Sequence, residues 1–316
     1  MGGTYIIDAT NVASGRIFIG VRDTSPVLTK EKIAMFVIAG VSGNTGKFAA
    51  ESLLAANKPV RVIVRDLKKG DPWKEKGAEV VVLDLADAAA LGKALQGAIG
   101  AYLLLPPDYR STSNVAEKHA MADAFAVAIK SSGVKHLVLL SAIGAQHTDG
   151  TGPIKTLYYA EKKIAETGVS HAFIRAAYFM ENWASGLAAA KATGVLYTMS
   201  EGAIPMVAAE DIGKAVAQAL LETTQGIVNL EGPATYSPQD VAQELSRIFA
   251  KPINVALVPE QARLGALTSA GLTEDLAKLY VEMNIGLAKG LLVFEPNHKH
   301  VKGKVTLSEF LTKITN

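Results

Sequence analysis

Short apolar runs alternate with helix-forming stretches over residues 35–175, and this alternation constrains the fold more than any other feature of the sequence. Five runs have the composition of strands buried on both faces of a parallel sheet. They span residues 35–39, 60–64, 80–83, 102–105 and 137–140, with a weaker sixth at 172–174. Helical stretches separate them, at residues 48–57, 88–96, 114–132 and 156–167. The alternation predicts βαβ units, a parallel sheet and right-handed crossovers.

The pattern becomes irregular after Arg175. It predicts helices at 211–221, 238–249, 308–314 and part of 264–286, and strands at 227–230 and 253–258. These elements are too varied to repeat the first half. We therefore predict an α/β fold with a doubly wound parallel sheet in residues 35–180, to which residues 205–225 return. A smaller, mainly helical substrate-binding region would comprise residues 181–204 and 226–316.

Residues 1–34 do not share the alternation. Two apolar segments flank a turn-like stretch at 11–15 and could form short strands. We favour the alternative, an N-terminal extension that is dispensable for the fold, because the first regular strand begins at Met35.

Composition weighs against several classes of function. The chain has 32 basic and 30 acidic residues, so no overall field favours nucleic acid or a membrane surface. It has no cysteine, which excludes disulfides and thiolate chemistry, and its six histidines lack metal-binding spacing, so we predict no metal site. No apolar run reaches the roughly 18 residues of a membrane span, and the N-terminus lacks a signal-peptide pattern. We predict a cytoplasmic protein.

The turn after the first predicted strand reads Gly-Val-Ser-Gly-Asn-Thr-Gly and leads directly into a helix. Its glycines permit a tight turn and let the backbone approach a pyrophosphate, while free N–H groups at the helix start favour negative charge. An ordinary glycine-rich loop is the alternative, but the position between strand and helix predicts a Rossmann-type dinucleotide site. The predicted cofactor contacts here are Gly40, Ser42, Gly43, Asn44, Thr45 and Gly46.

The second predicted strand ends in Arg65, where dinucleotide folds commonly place an acidic residue for the ribose hydroxyls. A guanidinium suits a 2′-phosphate, so we predict NADP(H) rather than NAD(H). The alternative is that Asp66 binds the ribose and Arg65 is a solvated strand end. Asp84, which follows the third strand, could accept a hydrogen bond from the adenine amine. Leu105 and Pro106 end the fourth strand where a cofactor wall is expected, although prolines also simply end strands.

Three motifs carry a resemblance to a known family: the glycine turn, Val-Ile-Val-Arg-Asp at 62–66, and Arg-Ala-Ala-Tyr-Phe-Met-Glu-Asn at 175–182. Together they resemble the NmrA-like family of atypical short-chain dehydrogenases/reductases, and in particular its quinone oxidoreductase-like branch. The likeness continues through residues 204–207, 211–213, 230–233, 293–294 and 307–310.

This resemblance implies that the glycine turn, Arg65 and Lys69 bind NADP(H), and that a substrate cleft lies between the two regions. The 175–182 segment would border the nicotinamide end. We add Leu85, Ser141 and Tyr178 to the predicted cofactor contacts, Ser141 because it matches the family's serine position.

A catalytic pair is harder to identify. Short-chain dehydrogenases use Tyr-x-x-x-Lys on the helix after the fifth strand, where four-residue spacing puts both side chains on one helix face. This stretch contains Tyr158 with Lys162, our candidate catalytic pair, and Tyr159 with Lys163. Alignment with the family instead puts Pro153 and Leu157 at the two positions, so the matches could be coincidental.

We predict an oxidoreductase that passes hydride from NADPH to a small carbonyl or quinone acceptor, because such chemistry depends largely on positioning the cofactor. The displaced Tyr/Lys motif favours an alternative, a non-catalytic NADP(H)-sensing regulator that binds a partner protein. A sugar-nucleotide epimerase or dehydratase shares the fold but needs that motif in register. The predicted partner is a small-molecule substrate, with neither nucleic acid nor a membrane.

Overall fold

The computed structural model describes residues 35–315, so both predictions for residues 1–34 lie outside the described residues. Within this range the chain forms thirteen strands: β1 (Met35–Ile38), β2 (Val60–Val64), β3 (Glu79–Val82), β4 (Ala98–Leu103), β5 (His136–Ala142), β6 (Ser170–Ala176), β7 (Tyr178–Phe179), β8 (Val195–Thr198), β9 (Ile204–Val207), β10 (Gly226–Glu231), β11 (Thr235–Tyr236), β12 (Asn254–Leu257) and β13 (Lys299–Lys302).

Eleven α-helices accompany these strands in the described range: α1 (Asn44–Ala55), α2 (Asp71–Glu75), α3 (Ala88–Leu95), α4 (Asn114–Ser132), α5 (Lys155–Ala165), α6 (Leu187–Thr193), α7 (Ala209–Glu222), α8 (Pro238–Phe249), α9 (Glu260–Ser269), α10 (Glu274–Ala288) and α11 (Leu307–Thr315). None of the helices between residues 35 and 315 combines the length and apolar character that crossing a bilayer requires.

Eight strands form one central sheet in the order β13-β10-β6-β5-β4-β1-β2-β3. Every neighbouring pair in it is parallel. All strands therefore end at the same edge, and the loops that follow them gather there. The predicted α/β fold with a doubly wound parallel sheet is confirmed.

The sheet extends further along the chain than we expected. Strands β10 and β13 lie within residues 226–316, which the sequence assigned to the smaller region, yet they pair in parallel beside β6. Val228 and Leu230 explain the placement, because both are almost fully buried in the main core, so β10 joins the sheet rather than the smaller core. The remaining strands form a three-stranded sheet, β11-β9-β7, and a two-stranded sheet, β12-β8.

Two hydrophobic layers cover the central sheet. One packs α1 and α7 against it through residues such as Leu53 and Val216. The other packs α3, α4 and α5 through residues such as Leu91, Phe125 and Ile164. A third core lies among β8, β9, α6, α8 and α11. The buried strands explain why nearly continuous apolar runs predicted them correctly.

Helix α1 packs closely against α7 at Gly213. A Cβ at Gly213 would lie 2.7 Å from both the Ala49 nitrogen and the Thr45 carbonyl oxygen, closer than real Cβ contacts allow. Because two of the nearest atoms belong to backbone, the contact cannot be relieved by rotating a side chain. Gly213 therefore sets how closely α1 and α7 pack against each other on this face of the sheet.

We expect Gly213→Ala to lower the free energy of unfolding by about 1–3 kcal/mol, the usual cost of forcing a methyl group into a packed core. Gly265→Ala is the matched control. Gly265 lies within α9, and a Cβ there would meet no atom within 4 Å, so alanine should stabilise the protein by up to about 1 kcal/mol. Urea unfolding of both variants checks this, and equal stabilities would contradict it.

Candidate functional site

A cavity of about 1670 Å³ opens at the carboxyl edge of the central sheet. Residues that follow β1, β2, β3, β4, β5 and β6 form one wall, and residues of α9, α10 and the 257–259 segment form the other. Pockets for one small ligand commonly measure roughly 300–1,000 Å³. This cavity is therefore large enough for an extended molecule and a second, smaller one.

The glycine turn forms one part of the cavity wall. Gly40 has a φ of +71°, and a Cβ there would lie 2.7 Å from the Leu104 side chain, so the turn needs glycine at this position. Gly40, Ser42, Gly43, Asn44 and Thr45 all line the cavity. Gly46 does not, and its role is packing, since a Cβ there would lie 2.5 Å from the Gly40 carbonyl carbon.

The start of α1 is suited to an anion. Gly43 precedes the helix and cannot supply a capping side chain, and the first turn holds no acidic residue. The N–H groups and the positive end of the helix dipole are thus left without a side-chain charge to neutralise them. Thr45 is fixed by a 2.8 Å hydrogen bond between its Oγ1 and the hydroxyl of buried Tyr102. Burial raises the pKa of Tyr102, which keeps this hydroxyl protonated.

The next part of the cavity is lined by Arg65 and Lys69, both of which are exposed. Other residues that line it are Asp84, Leu85, Leu105 and Pro106. Asp84 is partly engaged, because its Oδ1 accepts a 2.9 Å hydrogen bond from the Ala86 nitrogen. Asp66, the alternative ribose-binding residue, does not line the cavity. Its carboxylate instead accepts from the Lys68 nitrogen at 3.0 Å and caps the short turn Leu67–Lys69.

Lys118 is a cavity residue that the sequence analysis missed. It lies on α4 and is only 7% exposed, and its Nζ donates a 2.6 Å hydrogen bond to the Pro106 carbonyl oxygen. A signal was present, since Lys118 lies three residues after Val115 and four before Ala122, on the apolar face of the predicted helix. A lysine within such a face indicates a buried charge.

Ser141, predicted as a cofactor contact, does not line the cavity. Its Oγ donates a 2.5 Å hydrogen bond to Glu161 on α5. Glu161 also accepts from Arg175 Nε at 3.0 Å and Nη2 at 2.7 Å, and Arg175 forms a further ion pair with Glu295. This buried network ties together β5, α5, β6 and the segment before β13. Ser141 and Arg175 therefore have structural partners rather than cavity positions.

Tyr158 and Lys162, the candidate catalytic pair, do not line the cavity either. The neighbouring pair also points elsewhere, because the Tyr159 hydroxyl donates to Asp123 at 3.0 Å and Lys163 forms a 3.4 Å ion pair with the same carboxylate. The α5 segment instead presents to the cavity Pro153, Ile154, Thr156 and Leu157. Proline and leucine thus occupy the positions that alignment with short-chain dehydrogenases indicated.

The end of the cavity farthest along the sheet is walled by aromatic and apolar side chains. Tyr178 is the first residue of β7, and Tyr280 faces the same cavity from α10. Burial raises the pKa of each to about 12, so both hydroxyls are protonated at neutral pH. The surrounding apolar side chains are Phe179, Trp183, Leu267, Leu272, Met283 and Leu287.

Glu181 holds this end of the cavity in place. Its Oε1 accepts a 3.0 Å hydrogen bond from the Ala209 nitrogen at the start of α7. Burial raises the pKa of Glu181, and its Oε2 has no hydrogen-bond partner among the described residues. Residues 35–315 contain no group of three or more histidine, aspartate or glutamate side chains placed to hold a metal ion.

Comparison with known proteins identifies related chains. The NmrA-like family model matches residues 29–311. The NAD(P)H azoreductase of Xenophilus azovorans is 29% identical over 255 residues, which cover 79% of this chain and 86% of that protein. Quinone oxidoreductase 2 of Escherichia coli strain K12 is 27% identical over 261 residues, which cover 81% of this chain and 89% of that protein.

Two solved structures are also similar to this chain. The Escherichia coli NADPH-dependent quinone oxidoreductase complexed with NADPH has a TM-score of 0.76 at 26% identity, covering 89% of this chain and 100% of that one. The triphenylmethane reductase of Citrobacter sp., complexed with NADP(H), has a TM-score of 0.73 at 21% identity, covering 89% and 99%. The second likeness concerns the fold alone.

We expect Gly43→Val to abolish dinucleotide binding without unfolding the protein. Gly43 has a φ of −103°, which valine tolerates, and its Cβ would meet only the Gly40 carbonyl oxygen, at 3.3 Å. The branched side chain would therefore occupy the cavity rather than the core. Titration calorimetry should show an NADPH affinity lower by about a hundredfold or more, with a native far-UV spectrum.

Gly202→Val, at an exposed glycine with open space around it, is the control. An unchanged affinity in Gly43→Val would show that this turn is not the phosphate site.

Proposed function

Since this chain belongs to the NmrA-like family, we propose that it is an NADP(H)-dependent oxidoreductase that passes hydride to a quinone or small carbonyl acceptor. The observation that carries the proposal is the cavity, which is lined by a glycine turn, by two exposed cations and by a group of aromatic and apolar side chains. The relatives named as azoreductase and quinone oxidoreductase support the same reaction class.

The residues present fit a phosphorylated dinucleotide. The glycine turn lets the backbone approach a pyrophosphate, and the uncapped start of α1 favours its charge. Arg65 and Lys69 would hold the 2′-phosphate, with Leu85, Leu105 and Pro106 against the adenosine. When bound, the nicotinamide would supply the hydride.

The chain's own contribution at the other end is to bind the acceptor and hold a proton near it. Tyr178 and Tyr280 keep their protons at Oη because burial raises the pKa of each to about 12. Either hydroxyl would donate a hydrogen bond to an acceptor oxygen, which gains negative charge as hydride arrives. The apolar walls exclude water and strengthen that hydrogen bond.

Two alternatives remain distinct from this proposal. An NADP(H)-sensing regulator with a protein partner needs only the dinucleotide part of the cavity, and it is favoured because the Tyr/Lys pairs of α5 do not line the cavity. A sugar-nucleotide epimerase needs that pair, so the same observation weighs against it. The division into a dinucleotide domain and a substrate region, and a cytoplasmic location, are parts of our proposal.

Turnover should be detectable with uncharged quinones. We expect the protein to oxidise NADPH in the presence of benzoquinones or naphthoquinones at roughly 10 s⁻¹, a typical enzyme rate, and much more slowly with NADH. The loss of NADPH absorbance measures it, with aldehydes as a second acceptor panel and Gly43→Val as the inactive control. Tight NADPH binding without oxidation by any acceptor would contradict the proposal and favour the regulator.

Hydride transfer should not depend on the α5 tyrosines. We expect Tyr158→Phe and Tyr159→Phe to keep kcat within about threefold of the parent, because neither side chain lines the cavity. Tyr178→Phe is the matched change at a cavity position and should lower kcat by about tenfold or more, since it removes a hydrogen bond to developing charge. A hundredfold loss in Tyr158→Phe would instead indicate general acid catalysis from α5.

A further inference from the structure

Lys118 is the one lysine that is buried among residues 35–315, with 7% of its surface exposed. It lies in the second turn of α4, surrounded on the same helix by the buried residues Asn114, Ala122 and Phe125. A side chain with a long flexible stem normally carries its charge to solvent. Here the stem and the ammonium stay under the loop that follows β4.

The ammonium of Lys118 has one hydrogen-bond partner, the Pro106 carbonyl oxygen at 2.6 Å. Within the described residues, no carboxylate lies within the 4.0 Å that would make an ion pair with it. Two of its three N–H groups therefore have no protein acceptor. A buried cation in this state is unfavourable unless an anion reaches it.

The charges that face Lys118 come from several elements. Burial lowers its pKa, the more distant carboxylates of Asp108 and Glu117 offset part of that effect, and the guanidinium of Arg65 lowers the pKa further. Arg65 is thus near enough to repel Lys118 across the cavity that both residues line. An anion between them would turn this repulsion into two favourable interactions.

We propose that Lys118 is a third cation of the 2′-phosphate site, completing it from the α4 side opposite Arg65 and Lys69. The inference rests on the proposed NADP(H) function and adds a specificity-determining residue to it. The three cations differ in exposure. Arg65 and Lys69 are exposed, so salt screens them, whereas Lys118 is buried and acts at high ionic strength.

The test compares 2′,5′-ADP with 5′-AMP, which differ only in the 2′-phosphate, by titration calorimetry. We expect Lys118→Met to weaken 2′,5′-ADP by about tenfold or more and to leave 5′-AMP nearly unchanged. Lys118→Gln has no charge but keeps a donor for the Pro106 oxygen, so it separates the charge from the anchoring of the loop. Lys118→Gln should weaken the binding of 2′,5′-ADP by as much as Lys118→Met does. Lys118→Arg should keep most of the preference for 2′,5′-ADP over 5′-AMP.

Salt dependence separates Lys118 from its exposed neighbours. The loss of affinity for 2′,5′-ADP in Arg65→Ala should become smaller as the salt concentration rises, whereas the loss in Lys118→Gln should persist. Equal weakening of both ligands, or an unchanged preference in Lys118→Gln, would overturn the inference and leave Lys118 as a loop anchor. A parent protein that binds the two ligands equally would instead contradict the NADP(H) proposal itself.

Discussion

The close packing of α1 against the central sheet and against α7 is the constraint on which the site depends. Gly46 brings the start of α1 against the turn after β1, and Gly213 brings α7 against its other side. Tyr102 then fixes Thr45 from β4. Held from three directions, the first turn of α1 presents its N–H groups to the cavity without any capping side chain. Removing one of these contacts would move the helix dipole and the glycine turn together, since they are one continuous segment.

The position at which short-chain dehydrogenases keep a serine has a structural use in this chain. Ser141, Glu161 and Arg175 form a buried network, and Glu295 extends it to the segment that precedes β13. Removing one member of such a network costs more stability than the intact network contributes, because the remaining charges would be buried without partners. Its hydrogen bonds lie behind the cavity wall, so they fix the strand ends β5 and β6 and leave the chemistry to groups that face the cavity.

Periodicity predicted the fold well because buried parallel strands and amphipathic helices follow directly from it. α4 and α8 were predicted to the residue, and the range of β2 is exact. The sequence predicted β10 as a strand without showing that it joins the central sheet, since a short apolar run carries no information about which sheet it joins. Strand β13 was not predicted, because Lys-His-Val-Lys is not an apolar run. The sequence also does not show on which face of the sheet a side chain lies at the end of a strand. Ser141 and Leu140 are neighbours on β5, but only Leu140 lines the cavity. Lys118 was not predicted, although its spacing from Val115 and Ala122 places it on the apolar face of α4.

The order of strands in the sheet has a consequence for synthesis of the chain on the ribosome. β6 pairs with β10, and β10 with β13, so the sheet gains its last two strands only after residues 226–231 and 299–302 have emerged. Until β10 has emerged, β6 is an exposed edge of a largely apolar sheet, and β10 is then the edge until β13 emerges. An exposed edge of this kind pairs with other chains. During the same interval the buried Arg175 lacks its contact with Glu295. A nascent chain of this protein therefore has a long period of vulnerability to aggregation, in which a chaperone would matter most.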